Sequence, residues 1–185
     1  MLDTSGIALH KRGYRRVANL APIRETLAAG ILDIARIYPD TQLYDPFCGS
    51  GTFLIEAAYK AKNIAPGIYR RFAAEKWDSL PSKIWQTSRE EAIEKIRKDI
   101  EFTAFGSDIS QDSLEIAEAN ARRAGITGLI RLEKADVKNF TIPDRKSLVV
   151  TNPPYGERLM NGEDLTKLYQ TMGNVFQPSQ QTAYY

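Results

Sequence analysis

The chain has 185 residues, 43% hydrophobic and 26% charged, a composition that suits a globular protein with one sizeable core and makes a single domain the expectation. No run approaches the roughly 18 consecutive apolar residues of a membrane-spanning helix, and the opening MLDTSGIALHKRGYRR lacks the apolar centre of a secretion signal, so a cytoplasmic protein with no membrane partner is expected. A net charge of +2 does not by itself select nucleic acid as a partner; one cysteine, Cys48, and one histidine, His10, exclude an internal disulfide and a zinc cluster, so no metal is expected either.

The charge is unevenly placed: Lys11, Arg12, Arg15, Arg16 and Arg24 crowd the first 24 residues against Asp3 alone. Such a stretch either lies in solvent or meets phosphates. A helix is expected from Pro22, with Ile23, Leu27, Ile31 and Ile34 at helical spacing, stopped by YPD. TQLYDPF then reads as a strand ended by its proline, the turn CGSG follows, and TFLIEAAYKA is a second helix.

From about residue 63 to 88 the periodicity weakens. Pro66, Gly67, Pro81, both tryptophans and the basic Arg70, Arg71 and Lys76 mark an excursion from the core. Ser88 and Glu91 form a capping-box pattern that predicts a helix through Ile93, Ile96 and Ile100. TAFGSD is the next strand. Ser110 caps a helix over QDSLEIAEANARRA, with Leu114, Ala117, Ala121 and Ala124 on one face and Gly125 as its stop. LIRLEKAD, a loop through Pro143 and the apolar SLVVTN follow, and QPSQQTAYY closes on the opening of a further strand. Alternating strands and helices predict an α/β fold, a doubly wound parallel sheet covered on both faces.

In such a sheet, ligands bind beyond the carboxyl ends of the strands. DPFCGSGT occupies one such end: Gly49 and Gly51 let backbone approach a ligand, and the helix after them offers free N–H groups to an anionic group such as a carboxylate. Asp45, Asp108 and Asp136 place a carboxylate at the ends of three successive strands. Each alone reads equally well as a cap or a turn residue. Together they suit a nucleoside with a cationic tail, and they repel phosphate. The turn is neither G-x-G-x-x-G nor a P-loop with its lysine, so S-adenosylmethionine is the expected cofactor.

The fourth strand ends in VVTNPPYGERL. Pro153 and Pro154 donate no N–H and hold the chain extended, so the Pro153 carbonyl is free to face a cleft beside the Asn152 amide. Two adjacent acceptors can take both protons of an exocyclic amine and aim its lone pair at a methyl group. Tyr155 can stack on the ring that carries the amine, as in enzymes that extrude a base.

With these residues assembled, the chain resembles the class I methyltransferases that act on amino groups and carry N-P-P-Y. More narrowly it resembles the bacterial RNA guanine-N2 methyltransferases with an N-terminal THUMP RNA-binding domain, a family also labelled N6-adenine-specific DNA methylases. ALHKRGYR, LAPIRETLAAGIL, DPFCGSGTFLIEAA, GSDIS, ADV and NPPYGERL carry the resemblance, which spans nearly the whole chain. It implies a Rossmann-like methyltransferase domain over residues 1–185 whose sheet lacks its last strands and whose THUMP domain is absent. It implies a cofactor-binding set of Asp45, Pro46, Phe47, Cys48, Gly49, Ser50, Gly51 and Thr52 for the methionine end, Asp108 with Ile109 for the ribose, and Asp136 with Val137 for the adenine, joined by Asn152. Asn152, Pro153, Pro154 and Tyr155 form the catalytic set, and Lys11, Arg12, Arg15 and Arg16 the contacts to ribosomal RNA. The implied reaction is methylation of a guanine N2 amine in ribosomal RNA. Adenine-N6 methylation of DNA, glutamine methylation of a protein, and a module that binds RNA and cofactor without turnover are the alternatives.

Overall fold

The computed structural model describes residues 2–15, 22–155 and 162–185. Five strands, β1 (Gln42–Asp45), β2 (Thr103–Asp108), β3 (Ile130–Lys134), β4 (Ser147–Val149) and β5 (Thr182–Tyr184), form one sheet of order β3-β2-β1-β4-β5. Every pairing is parallel. The chain runs outward from β1 through β2 to β3 and then crosses to β4 on the other side of β1. The strand order therefore reverses between β1 and β4, where a crevice opens beyond the strand ends.

Helices α1 (Glu25–Ala35), α2 (Thr52–Lys62) and α4 (Gln111–Arg123) build the main core against the sheet. Leu32, Leu43, Leu54, Ile55, Ala57, Ala58 and Ala104 are fully enclosed there. Gly106, midway along β2, permits that approach: a Cβ on it would lie 2.4 Å from Leu54 Cδ1 and 3.1 Å from Cys48 Cβ. Tyr44, stacked on Phe105 at 4.7 Å, contacts Phe140, which leads through Phe176 to Tyr184 in an aromatic layer under α5 (Gly162–Val175). None of the α5 residues is fully buried, so this second cover is lighter than the first.

The structure moves several sequence boundaries. Pro22, Ile23 and Arg24 precede α1, whose buried face is Glu25, Ala28, Leu32 and Ala35, while Leu27 and Ile34 point outward. Glu25 takes a place on the inner face because an arginine meets it there. Helix α3 (Ser82–Glu94) begins directly after Pro81, which leaves Ser88 inside the helix and not at its cap, and it ends before Ile96 and Ile100. Pro81 stands at the N-cap, with no side-chain cap, and the helix runs on through Ser88, so the Ser88–Glu91 pattern lies within it and marks no start. Helix α5 has no counterpart in the sequence expectation, although Leu165, Leu168, Met172 and Phe176 repeat at helical spacing. The α4 expectation holds: Ser110 Oγ accepts from Ser113 N at 3.3 Å, and Gly125 takes a φ of +71°.

The N-terminal arm and the excursion hold one another. Arg70 Nη2 donates to the carbonyls of Ser5 (3.2 Å) and Ile7, Ala74 N donates to Thr4 O at 3.1 Å, and a short 3-10 turn, Ala73–Lys76, packs against Gly6.

Candidate active site

The cavity at the strand-order reversal encloses about 1170 Å³ and is walled by the ends of β1, β2 and β4, the segments after β3, the first turns of α4, the segment that leads into α1 and one face of α5. All the sequence-predicted cofactor and catalytic residues except Gly51 line it; Gly51 lies directly behind, with a φ of +79° and an imagined Cβ only 3.1 Å from Ala117 Cβ. That contact is tight enough to demand glycine where α2 meets α4. Asn120, fully enclosed on α4, donates from Nδ2 to Ser50 O at 3.0 Å and fixes the turn from behind.

Asp45 ends β1 with 2% exposure. Its Oδ1 accepts from Thr151 Oγ1 at 2.7 Å and from Phe47 N at 3.2 Å. Burial nevertheless raises its pKa to about 7, because two hydrogen bonds lower the cost of the charge less than desolvation and nearby Asp108 raise it. Asp108 ends β2 and ties two elements together: Oδ2 accepts from Gly49 N at 3.0 Å and Oδ1 from Ser110 N at 2.9 Å. Each oxygen keeps a further lone pair, so the carboxylate can still accept from hydroxyls in the cavity.

Asp136 has a local role as well. It starts a 3-10 turn, Val137–Asn139, accepting from Lys138 N at 3.0 Å, with Lys138 Nζ at 3.2 Å from its other oxygen. The Lys138 backbone N–H is the main reason its pKa is lowered, so it is an ionised group at the cavity wall. Asp112 and Asp164 bring the lining carboxylates to five, with Lys138 and Lys167 as lining lysines. That donor set fits a cation with a nucleoside and disfavours a phosphate chain. Cys48 is 5% exposed, and burial with Asp45 and Asp108 close by holds its thiol far above the ordinary range, which suits a packing residue and not a nucleophile.

Beyond β4, Val150 N donates to Tyr44 O at 3.0 Å and Thr151 N to Tyr185 O at 3.2 Å; the ladder ends there and Asn152 opens the proline turn. Tyr169 OH donates to the Pro154 carbonyl at 3.4 Å. Tyr155 is 60% exposed and offers its ring at the rim. Pro22, Ile23, Phe53, Ile116 and Leu168 add an apolar wall to which the sequence analysis assigns no role, and Asp112 and Lys167 add charges that it does not assign either.

The basic N-terminal stretch sits otherwise than expected. Arg12 grips Glu56 with Nε at 3.2 Å and Nη2 at 3.1 Å, and Tyr14 OH donates to the same carboxylate at 2.9 Å. Arg15 Nη2 lies 2.7 Å from Glu25 Oε2, and its Nη1 donates to Ile23 O at 2.9 Å. Both arginine side chains are 12% exposed against carboxylates that are 2–3% exposed. A guanidinium so engaged has few donors left for RNA phosphate, and the expectation of phosphate contacts for Arg12 and Arg15 gives way to internal ion pairing. Lys11 is exposed, and Arg16 lies outside the described residues.

Rossmann-like methyltransferases arrange a parallel sheet of this order around such a cavity, and this chain shares their fold. It belongs to the family described as "RMKL-like, methyltransferase domain" (UPF0020), which matches residues 12–183. It is 45% identical over 177 residues to "Putative RNA methyltransferase YpsC" of Bacillus subtilis, covering 96% of this chain and 46% of that protein. It is also 45% identical over 181 residues to "Ribosomal RNA large subunit methyltransferase K/L" of Psychromonas ingrahamii, covering 95% of this chain and 24% of that one. The crystal structure of SMU.472, "a putative methyltransferase complexed with SAH", superposes with a TM-score of 0.91 at 39% identity, over 98% of this chain and 48% of the other. The chain thus spans about half or less of the length of these relatives. Among the described residues no helix is long and apolar enough to cross a membrane.

Proposed function

We propose that this domain methylates the exocyclic N2 amine of a guanine in ribosomal RNA, of the large subunit, with S-adenosylmethionine as the donor. One observation carries the reading: the Asn152–Tyr155 turn and the three strand-end aspartates open into the same cavity, so an amine-orienting group and a cation-binding group face one space. The names of the relatives, RNA methyltransferase and ribosomal RNA large subunit methyltransferase, support RNA as the substrate class.

Asp45 and the turn to Thr52 would hold the amino-acid end of the cofactor, Asp108 and Ile109 the ribose, and Asp136 and Val137 the adenine. When bound, S-adenosylmethionine supplies an electrophilic methyl group on a sulfonium. The chain's own contribution is orientation. Asn152 and the Pro153 carbonyl accept from the amine, which turns its lone pair toward the cofactor end of the cavity. The Pro154 carbonyl accepts from Tyr169 at 3.4 Å, which ties the turn to α5. Tyr155 provides a stacking face, and RNA loops and bulges yield a base for stacking at lower energetic cost than a perfect duplex. Lys11 is the described member of the basic set that remains available for phosphate.

Adenine-N6 methylation of DNA is the second reading, because N-P-P-Y orients either amine. Transfer of labelled methyl from S-adenosylmethionine to separate RNA, DNA and protein fractions tests the proposal; label confined to RNA is expected, and label confined to DNA or to protein overturns it.

A further inference from the structure

We propose that Thr151 is a positioning residue that couples the cofactor end of the cavity to the amine-orienting turn, through the hydrogen bond from its hydroxyl to Asp45. The inference rests on the cofactor and amine roles proposed above and adds a residue that those roles do not include.

The geometry is specific. Thr151 is the last residue beyond β4 held by backbone bonding, its N–H donating to Tyr185 O on β5's side directly after Val150 N donates to Tyr44 O on β1's side, and Asn152 is the next residue. Its hydroxyl reaches back across the strand-order reversal to Asp45 Oδ1 at 2.7 Å, where Phe47 N also donates at 3.2 Å. Both bonds fall on Oδ1, so among the described residues Oδ2 takes no hydrogen bond and remains the oxygen for a ligand cation. Asp45 is otherwise enclosed. From β2's end Asp108 faces it with like charge, from the turn into α2 the Cys48 thiol sits beside it, and from β4 only the Thr151 hydroxyl favours the carboxylate. The Thr151 hydroxyl therefore makes the larger of the two hydrogen bonds, with that of Phe47 N, that support ionisation of the group proposed to bind the cofactor cation, and it fixes the backbone from which Asn152 projects. Proton and cation compete for Asp45, so cofactor affinity should rise as pH rises through about 7.

The test is calorimetric titration of S-adenosylmethionine and S-adenosylhomocysteine between pH 5.5 and 8.5 into the wild-type protein, T151V, T151S and D45N, each checked for folding by thermal melting. In T151V the midpoint of the pH-dependent affinity should move up by about one pH unit, so that affinity falls about fivefold at neutral pH and about tenfold at pH 5.5, the effect of one lost hydrogen bond to a charged group. The turnover number at saturating cofactor should fall as well, through the loosened turn. T151S should restore the midpoint, the affinity and turnover. A T151V protein with wild-type midpoint and wild-type turnover overturns the coupling. If D45N also binds as wild type does, the cofactor role of Asp45 falls with it; if D45N loses binding while T151V is unchanged, the coupling alone falls.

Discussion

Asp108 joins two structural bonds to one proposed ligand role, and a substitution separates them. Asp108→Ala removes the acceptor offered to the ribose, and a hydrogen bond to a charged group contributes about 1.5–3 kcal/mol, so cofactor affinity should fall about tenfold or more in a folded variant. Calorimetry that finds unchanged affinity would remove Asp108 from the cofactor set. Asn152 differs in kind: the family resemblance counts it beside the cofactor as well, but the proposed reaction uses its side chain on the amine. Asn152→Ala should keep the cofactor dissociation constant and lose about 100-fold in turnover, the scale of one preorganised contact made at the transition state. A steady-state assay showing near-normal turnover would leave the amine-orienting role unsupported. At this scale most of the cavity was legible in the sequence, because strand-end aspartates, a glycine turn and paired prolines are local signals. Thr151 and Gly106 were not: one matters through a partner 106 positions away, the other through the space left beside Leu54 and Leu132.

At the scale of elements, the N-terminal arm acts as a clamp. Arg12, Tyr14 and Arg15 reach carboxylates on the inner faces of α2 and α1, and Arg15 also holds Ile23, a residue of the cavity wall. Arg12→Ala leaves Glu56 buried without its cation, a loss of about 3–5 kcal/mol of unfolding free energy. Urea unfolding should show it, and the salt dependence of RNA binding should not change, because the guanidinium faces inward; a reduced salt slope at wild-type stability would return Arg12 to the RNA. The basic stretch misled the sequence reading because charge was counted along the chain, whereas its partners, Glu25 and Glu56, stand on helices. Glu56 within TFLIEAAYKA was the available clue, since an acid in the middle of the apolar run Phe53–Ala58 needs a cation. The inner face of α1 misled in part: Ile23 and Ile31 pack against the core as expected, while Leu27 and Ile34 turn outward and Glu25 takes a buried position.

For the whole molecule, the sheet order makes one end of the domain the chemical end and concentrates carboxylates there, at a cost in stability. Burial lifts Asp45 from 3.8 to about 7, so the folded state retains a proton that the unfolded chain has released. Between about pH 4 and pH 7 this group's contribution to stability must therefore fall as pH rises, with no further change above the folded-state pKa. Denaturant unfolding at pH 5 and pH 7.5 should show a smaller pH difference in D45N than in wild type; an equal difference in both would mean that Asp45 is ionised throughout. The alternation of strands and helices made the parallel sheet readable from sequence, but not the unequal cover of its faces, which depends on how Phe140 and Phe176 meet Tyr44 and Tyr184.

The central claim is that these parts deliver a methyl group to a guanine amine in RNA. The direct test incubates the protein with ribosomal RNA and, separately, duplex DNA in the presence of isotopically labelled S-adenosylmethionine, digests each to nucleosides and identifies the labelled species by mass spectrometry. Labelled N2-methylguanosine from the large-subunit RNA and unmodified DNA are expected. Labelled N6-methyladenine from the DNA, with no labelled methylguanosine from the RNA, would contradict it.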